Sequence, residues 1–316
     1  MVRHFLDFEG YASEEILYII DMAINFKKKG YPDNKPLSGK SIALIFEKPS
    51  TRTRVSFQVA IAKLGGESIP LSVSEMQLSR GEPISDTMRV LSSYVDAVVA
   101  RVYKHETLSE MIKHSSIPVI NALSDKFHPC QALADMMTIK ELKGNIYGVK
   151  VAYVGDGNNV CNSLIQACSL LGARISVASP KEYQPPEDVI AQAKEWGKRS
   201  GGTIELTENP EDAVRDADVV YTDVFVSMGQ EGERERRLKV FYPKYKVTEK
   251  LMSLAKSDAI FMHCLPAHRG EEVEASVIDG KKSAVWQQAA NRLHTEAALL
   301  LYLLQDGKNF NLSSPV

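Results

Sequence analysis

Short apolar runs rich in β-branched residues alternate with amphipathic, helix-length stretches along nearly the whole chain, and they do so in two series. In the first, residues 41–46, 68–73, 97–102 and 118–123 read as strands. Helices are read at 52–64, from Pro83 onward, at 106–114 and at 129–142. In the second, strands are read at 150–154, 174–178, 203–206, 219–222 and 259–263. Helices are read at 160–171, at 187–198, briefly after Pro210, and as a long amphipathic stretch at 291–305. Such alternation requires crossover helices between parallel strands, because a hairpin cannot connect parallel neighbours. The expectation is an α/β fold of two doubly wound domains with mainly parallel sheets, joined by interdomain helices. A length of 316 residues agrees, at roughly 150 residues per domain. The boundary is placed in the helix after His128, giving 1–132 and 133–289, with 290–316 returning to the first domain.

Charge narrows the partners. Lys plus Arg is 38 and Asp plus Glu is 40, a formal net charge of −2. A polyanion or membrane surface asks for a basic excess, so no nucleic acid and no membrane is expected as partner. No run approaches the roughly 18–20 apolar residues of a membrane span. The N-terminus carries Asp7 and Glu9 and lacks the apolar core of a secretory signal. Cys130, Cys161, Cys168 and Cys264 form no CxxC pair, which argues against a zinc or redox motif and fits a cytoplasmic location. Cys161 and Cys168, seven apart, are read as core.

Ligands of open α/β sheets bind at the C-terminal ends of strands, so the loops there carry the functional reading. Ser50-Thr51-Arg52-Thr53-Arg54 follows the first strand and opens a helix. Free helix N–H groups, three hydroxyls and two guanidiniums suit a phosphate; the bland reading is a capped helix with surface arginines. Arg101 closes a strand and either faces solvent or reaches the same anion. His128-Pro129-Cys130-Gln131 starts a helix, with Pro129 at its first position, where His128 and Gln131 are able to polarise a carbonyl; a lone His is more often structural.

The second series has loops of its own. Gly155-Asp156-Gly157-Asn158-Asn159-Val160 resembles a dinucleotide turn, but Val160 stands at the third glycine position and no acid ends the next strand. Asp223 precedes Ser227-Met228-Gly229 and suits an ammonium, although an ordinary exposed loop is the default. In His263-Cys264-Leu265-Pro266, Cys264 is either reactive or a small buried hydrophobe. Arg292 is placed at the start of the last helix, where the dipole disfavours it. The charge-dense run 231–239 reads as a solvated loop or helix face.

Taken together and in this order, Ser50-Thr51-Arg52-Thr53-Arg54, His128-Pro129-Cys130-Gln131, Asp156-Gly157-Asn158-Asn159, Asp223 with Ser227-Met228-Gly229, and His263-Cys264-Leu265-Pro266 resemble the aspartate/ornithine carbamoyltransferase family. The last two motifs resemble its ornithine branch. The resemblance implies transfer of the carbamoyl group from carbamoyl phosphate to the δ-amine of L-ornithine, giving L-citrulline and phosphate. It implies that 1–132 binds carbamoyl phosphate and 133–289 binds ornithine. Ser50, Thr51, Arg52, Thr53, Arg101 and Arg292 would hold carbamoyl phosphate. His128, Pro129, Cys130 and Gln131 would meet its carbamoyl end, with Cys264 and Leu265 facing the reacting centre. Gln77 would be lent to a neighbouring subunit's phosphate site in a homotrimer or a multiple of trimers. Asn159, Asp223, Ser227 and Met228 would hold ornithine. Thr53, Arg101, His128 and Cys264 would be catalytic. No metal and no organic cofactor is implied, because carbamoyl phosphate is already activated. The chain departs from the family pattern at Gln288-Ala289-Ala290, where acids are usual, and at Phe225, where Trp is usual. The alternatives are a sister transferase acting on putrescine or acetylornithine, and a nicotinamide-dependent dehydrogenase.

Overall fold

The structure is a computed structural model and describes residues 2–227 and 229–305. The chain divides into two compact units, Met1–Met137 with Ala290–Val316, and Thr138–Ala289. Both divisions fall within helices, Pro129–Lys143 and Val285–Leu304.

The first unit is built on strands β1 (Ser41–Phe46), β2 (Glu67–Ser72), β3 (Ala97–Arg101) and β4 (Val119–Leu123). All pair in parallel, in the order β2-β1-β3-β4. β1 is central and is buried from Ile42 to Phe46, because crossover helices cover both faces and leave no face for polar residues. Ala43, Ile45, Val98 and Ala100 form one core with Met88, Leu108 and Met111 from the helices Ile84–Tyr94 and His105–Lys113. Each fully buried Val, Ile, Leu or Met side chain there contributes about 1.5–3 kcal/mol, so a charge at Val98 would break the layer. The helix Ser13–Lys29 was not read from the sequence. Its apolar positions Ile16, Ile19, Ile20, Ala23 and Phe26 have helical spacing, but Ala12 offers no capping side chain to mark its start. Instead, Glu15 Oε2 reaches back to the Ala12 N–H at 2.9 Å.

The second unit carries β5 (Lys150–Val154), β6 (Arg174–Ala178), β7 (Thr203–Thr207), β8 (Val219–Thr222) and β9 (Ile260–Met262). They too are parallel, in the order β7-β6-β5-β8-β9. The chain winds outward from β5 through the helices Asn159–Leu170 and Glu187–Ser200, then returns to lay β8 on the other side of β5. The strand order therefore reverses between β5 and β8. In the first unit it reverses between β1 and β3. Crevices open above the strand ends at such reversals, and the loops after β1 and β3 in the first unit and after β5 and β8 in the second lie there.

Candidate active site

In the first unit, the loop after β1 leads to Ser50, the N-cap of the helix Thr51–Lys63. Ser50 is extended, with φ −157° and ψ 113°, and its hydroxyl makes no cap bond. No capping side chain therefore occupies the positive end of this helix, as an anion site requires. Thr51 and Arg52 are exposed, whereas Thr53 is buried. Across the strand reversal, β3 ends in Arg101. Its pairing with β4 shifts register between Ala100 and Arg101, and a bulge of this kind re-aims the side chain. The Arg101 carbonyl accepts the Glu47 N–H at 2.9 Å, which ties the two loops together.

The helix Pro129–Lys143 starts on its proline, and the His128 carbonyl accepts the N–H groups of Gln131 and Ala132. Gln131 donates to Asp135 Oδ1 at 2.9 Å and accepts Arg292 Nη1 at 2.8 Å. Arg292 also donates from Nη2 to Thr53 Oγ1 at 3.4 Å and is ion-paired with Glu296 at 2.5 Å. The last helix begins at Val285, so Arg292 lies about two turns inside it and is buried. The expectation of Arg292 at a helix start is therefore corrected. The pairing with Glu296, one turn on, is what accommodates it.

Burial pushes the His128 imidazole well below its ordinary value, and Arg292, Arg101, Lys48 and Arg52 push the same way. His128 is thus neutral at pH 7, a hydrogen-bond donor that carries no charge, set among four cations. Lys48 was not singled out from the sequence; it is buried, with its ammonium 4.9 Å from the Tyr103 ring centre. The structure therefore brings Thr53, Arg52, Arg101, His128, Gln131 and Arg292 into one grouping. Cys130 is oriented otherwise: its buried thiol donates to the Asn121 carbonyl at 3.3 Å, and burial pushes its pKa up. Gln77 is exposed in the short turn Gln77–Arg80.

In the second unit, Asn158 caps the helix Asn159–Leu170 by accepting the N–H groups of Val160 and Cys161. Its amide nitrogen donates to Asp223 Oδ2 at 2.8 Å, and Cys264 Sγ donates to Asp223 Oδ1 at 3.1 Å. A hydrogen-bonded line thus joins the loops after β5, β8 and β9. Asp223 is buried, and Cys264 is half-buried. Asn158, beside the expected Asn159, is the residue that joins this hydrogen-bonded line. The signal was present in the sequence, an Asn at the junction of strand and helix. Ser227 is half-buried, and its N–H donates to Gln230 Oε1 at 3.1 Å. Met228 lies outside the described residues.

Leu265 adopts φ +59°, a left-handed conformation costly for a side chain of this kind. Its N–H donates to His263 Nδ1 at 2.8 Å. An acceptor Nδ1 places the imidazole proton on Nε2, which faces Glu272 Oε1 at 3.3 Å inside the unit. The His263 N–H is received by Gln288 Oε1 at 3.0 Å, so this loop is held from several sides. Asp223, His263 and Cys264 are also close enough together to be considered as metal ligands. Both ring nitrogens of His263 are already engaged, and the Cys264 thiol is directed at Asp223, so the donor set does not fit a metal without rupture of these bonds.

The dinucleotide reading fails on local packing. A Cβ at Gly157 would lie 2.3 Å from Pro185 N and 2.6 Å from the Tyr183 carbonyl oxygen. The close approach that this glycine permits is therefore used by the chain's own backbone, where a pyrophosphate would have to sit.

With these loops in place, comparison with known proteins is informative. Residues 3–141 match the family described as aspartate/ornithine carbamoyltransferase, carbamoyl-P binding domain, and residues 147–303 match its Asp/Orn binding domain. The chain belongs to the aspartate/ornithine carbamoyltransferase family. It is 55% identical over 305 residues to the ornithine carbamoyltransferase of Pyrococcus horikoshii, covering 96% of each chain. It is 52% identical over 304 residues to that of Anoxybacillus flavithermus, again covering 96% of each. Among solved structures, ornithine carbamoyltransferase from Pyrococcus furiosus superposes with a TM-score of 0.91 at 54% identity, over 96% of this chain and 97% of that one.

Proposed function

We propose that this chain transfers the carbamoyl group of carbamoyl phosphate to the δ-amine of L-ornithine, releasing L-citrulline and phosphate. The observation that carries the reading is the line Asn158–Asp223–Cys264, which presents an amide, a carboxylate and a thiol in one unit, while the other unit gathers cations around a neutral His128.

The free helix end after Ser50, with Thr51, Arg52, Thr53, Arg101 and Arg292, supplies donors and positive charge to the phosphate and its departing negative charge. His128, Thr53 and Arg101 donate to the carbamoyl oxygen, whose charge grows as the amine attacks. His128 does this as a neutral imidazole, through its one N–H, because burial and the surrounding cations disfavour the charged form. The first turn after Pro129 presents Gln131 to the carbamoyl end. Asp223, with Asn159 and Ser227, pairs with the ammonium and carboxylate of the amino acid. The δ-amine has to shed a proton before attack, since its ordinary value is near the Lys value of about 10.4. The Cys264 thiol points its proton at Asp223 Oδ1, so as the sulfur takes a proton from the δ-ammonium its own passes to the Asp223 carboxylate; Leu265 is its chain neighbour. Met228 completes the assignment from the family motif.

A homotrimer that shares Gln77 between subunits is part of the proposal. Its support is the exposure of Gln77 together with apolar Val55, Val59 and Ile69 on the first unit's surface. Light scattering that returned a monomer under assay conditions would refute it. No described helix is long and apolar enough to cross a membrane; a cytoplasmic location belongs to the proposal. The test of function is a colorimetric ureido assay with carbamoyl phosphate and a panel of ornithine, N-acetylornithine, putrescine and aspartate. Ornithine is expected to be preferred by orders of magnitude, and equal or better turnover of any other amine would overturn the assignment.

A further inference from the structure

The charge-dense run 231–239, read from sequence as solvated, contains one residue that is not. Arg237, in the helix Arg234–Phe241, is only 3% exposed. Its Nη2 is ion-paired with Asp156 in the loop after β5, and its Nε donates to the Phe225 carbonyl at 2.6 Å in the loop after β8. The guanidinium lies 4.7 Å from the Tyr183 ring centre and 5.5 Å from that of Phe241, and Phe241 stacks on Phe225 at 5.0 Å.

Both anchored loops carry the amine-side residues. Asp156 lies two residues before Asn158, whose N–H donates to the Asp156 carbonyl at 2.7 Å. Phe225 lies two residues after Asp223. The two are the loops at the strand reversal of this unit. We propose that Arg237 is a positioning residue for the amino-acid substrate: one guanidinium spans the two loops and sets where Asn158 and Asp223 present their polar atoms. The inference rests on the ornithine reading above and names a residue that acts through others, since Arg237 is itself walled off by Tyr183, Phe225 and Phe241.

Stability does not account for the pair. A buried ion pair is commonly replaceable by apolar residues of similar volume with little loss, because the attraction mainly repays the removal of both charges from water. What an apolar replacement cannot supply is a rigid planar fork with donors directed at two separate loops. Burial pushes Asp156 up to about 6, Arg237 opposes the rise, and Asp223 and Glu233 add to it. Asp156 is thus a costly group to bury for packing alone.

Steady-state kinetics on the purified full chain separate the roles, using Arg237→Met, Asp156→Asn, the double variant and Arg237→Lys. Misplacement of substrate groups by about 1 Å can cost on the order of 10²-fold, so the double variant is expected to raise KM for ornithine at least about tenfold. Its KM for carbamoyl phosphate is expected to stay within about twofold, and its melting temperature within a few degrees of the parent. Arg237→Lys keeps the charge but not the fork and is expected to fall between. A folded double variant with unchanged KM for ornithine would overturn the inference. So would parallel losses in both KM values with a large fall in melting temperature, which mark a purely structural role. A parent chain that makes no citrulline would overturn the activity reading, and this inference with it; an active parent beside an unaffected double variant overturns this inference alone.

Discussion

Replacing Arg292 tests whether the first unit's cation cluster is also a structural liability. Arg292 and Glu296 are both almost wholly buried, with side chains 6% and 1% exposed. Arg292→Met removes the ion pair at 2.5 Å, the bond to Gln131 at 2.8 Å and the bond to Thr53 at 3.4 Å. What remains is the Glu296 carboxylate, which burial pushes above its usual range even in the parent and which keeps only Ser56 as an opposing influence once Arg292 is gone. Breaking a buried pair from one side costs about 3–5 kcal/mol. With a urea slope of about 2 kcal/mol per molar, that moves the midpoint down by about 2 M. Arg292→Met/Glu296→Gln removes the stranded charge as well, so at least half of the loss is expected to return. Carbamoyl phosphate affinity is not expected to return, because the cation itself is gone. The assay is urea unfolding followed by far-UV circular dichroism at pH 7.5 without ligands, alongside the KM for carbamoyl phosphate. A double variant as unstable as the single one, or a single variant within about 1 kcal/mol of the parent, would refute the reasoning.

Three further outcomes are expected. Arg52→Ala loses one charge-assisted contact worth about 1.5–3 kcal/mol and should raise KM for carbamoyl phosphate roughly 10- to 100-fold; unchanged citrulline formation would remove Arg52 from the site. Cys264→Ala should lower turnover about 10²-fold or more while phosphate-end binding, measured by calorimetry with a phosphonate analogue, survives; full turnover would leave Cys264 a packing residue. The third concerns pH. His128 has a folded value well below 6.5, so below pH 6.5 the unfolded chain binds a proton that the folded chain refuses, and stability falls as pH drops. The slope is about 1.4 kcal/mol per pH unit for one proton. Asp7 and Asp156, raised to about 6, act in the opposite sense across the same range, and His4 and His105, lowered by burial, act in the same sense, so the contribution of His128 is read as the difference between the parent and His128→Gln from pH 7 to 6. As the pH falls, the parent should lose stability relative to His128→Gln, and identical slopes would contradict the account.

Much of this protein was legible from order alone. Alternating strand and helix patterns dictate parallel sheets, because parallel neighbours can be joined only by crossovers, and the observed strands follow the expected runs closely; β1, β5, β6 and β8 coincide with them. The motif loops could be placed at strand ends for the same reason. Helix ends were less legible. The helix Ser13–Lys29 lacks a capping side chain at its start, and the last helix begins at Val285, two turns earlier than its amphipathic pattern suggests.

What the sequence determined by itself was therefore whatever depends on local periodicity and short-range chemistry: the class of fold, the strand-end loops, and the residue types that suit an anion and an amine. Tertiary structure decided what depends on burial and on distant partners. Arg237 stands in a run that composition reads as solvated, yet it is enclosed by Tyr183 and Phe241, 54 and 4 residues away, and paired with Asp156, 81 residues away. Cys130, in a functional motif, is directed at the Asn121 carbonyl. Folding takes water away from His128 and gathers Arg292, Arg101, Lys48 and Arg52 around it, and together these hold its imidazole well below its ordinary value. Desolvation and Coulomb energy are properties of a place in space, and only the fold assigns residues to places.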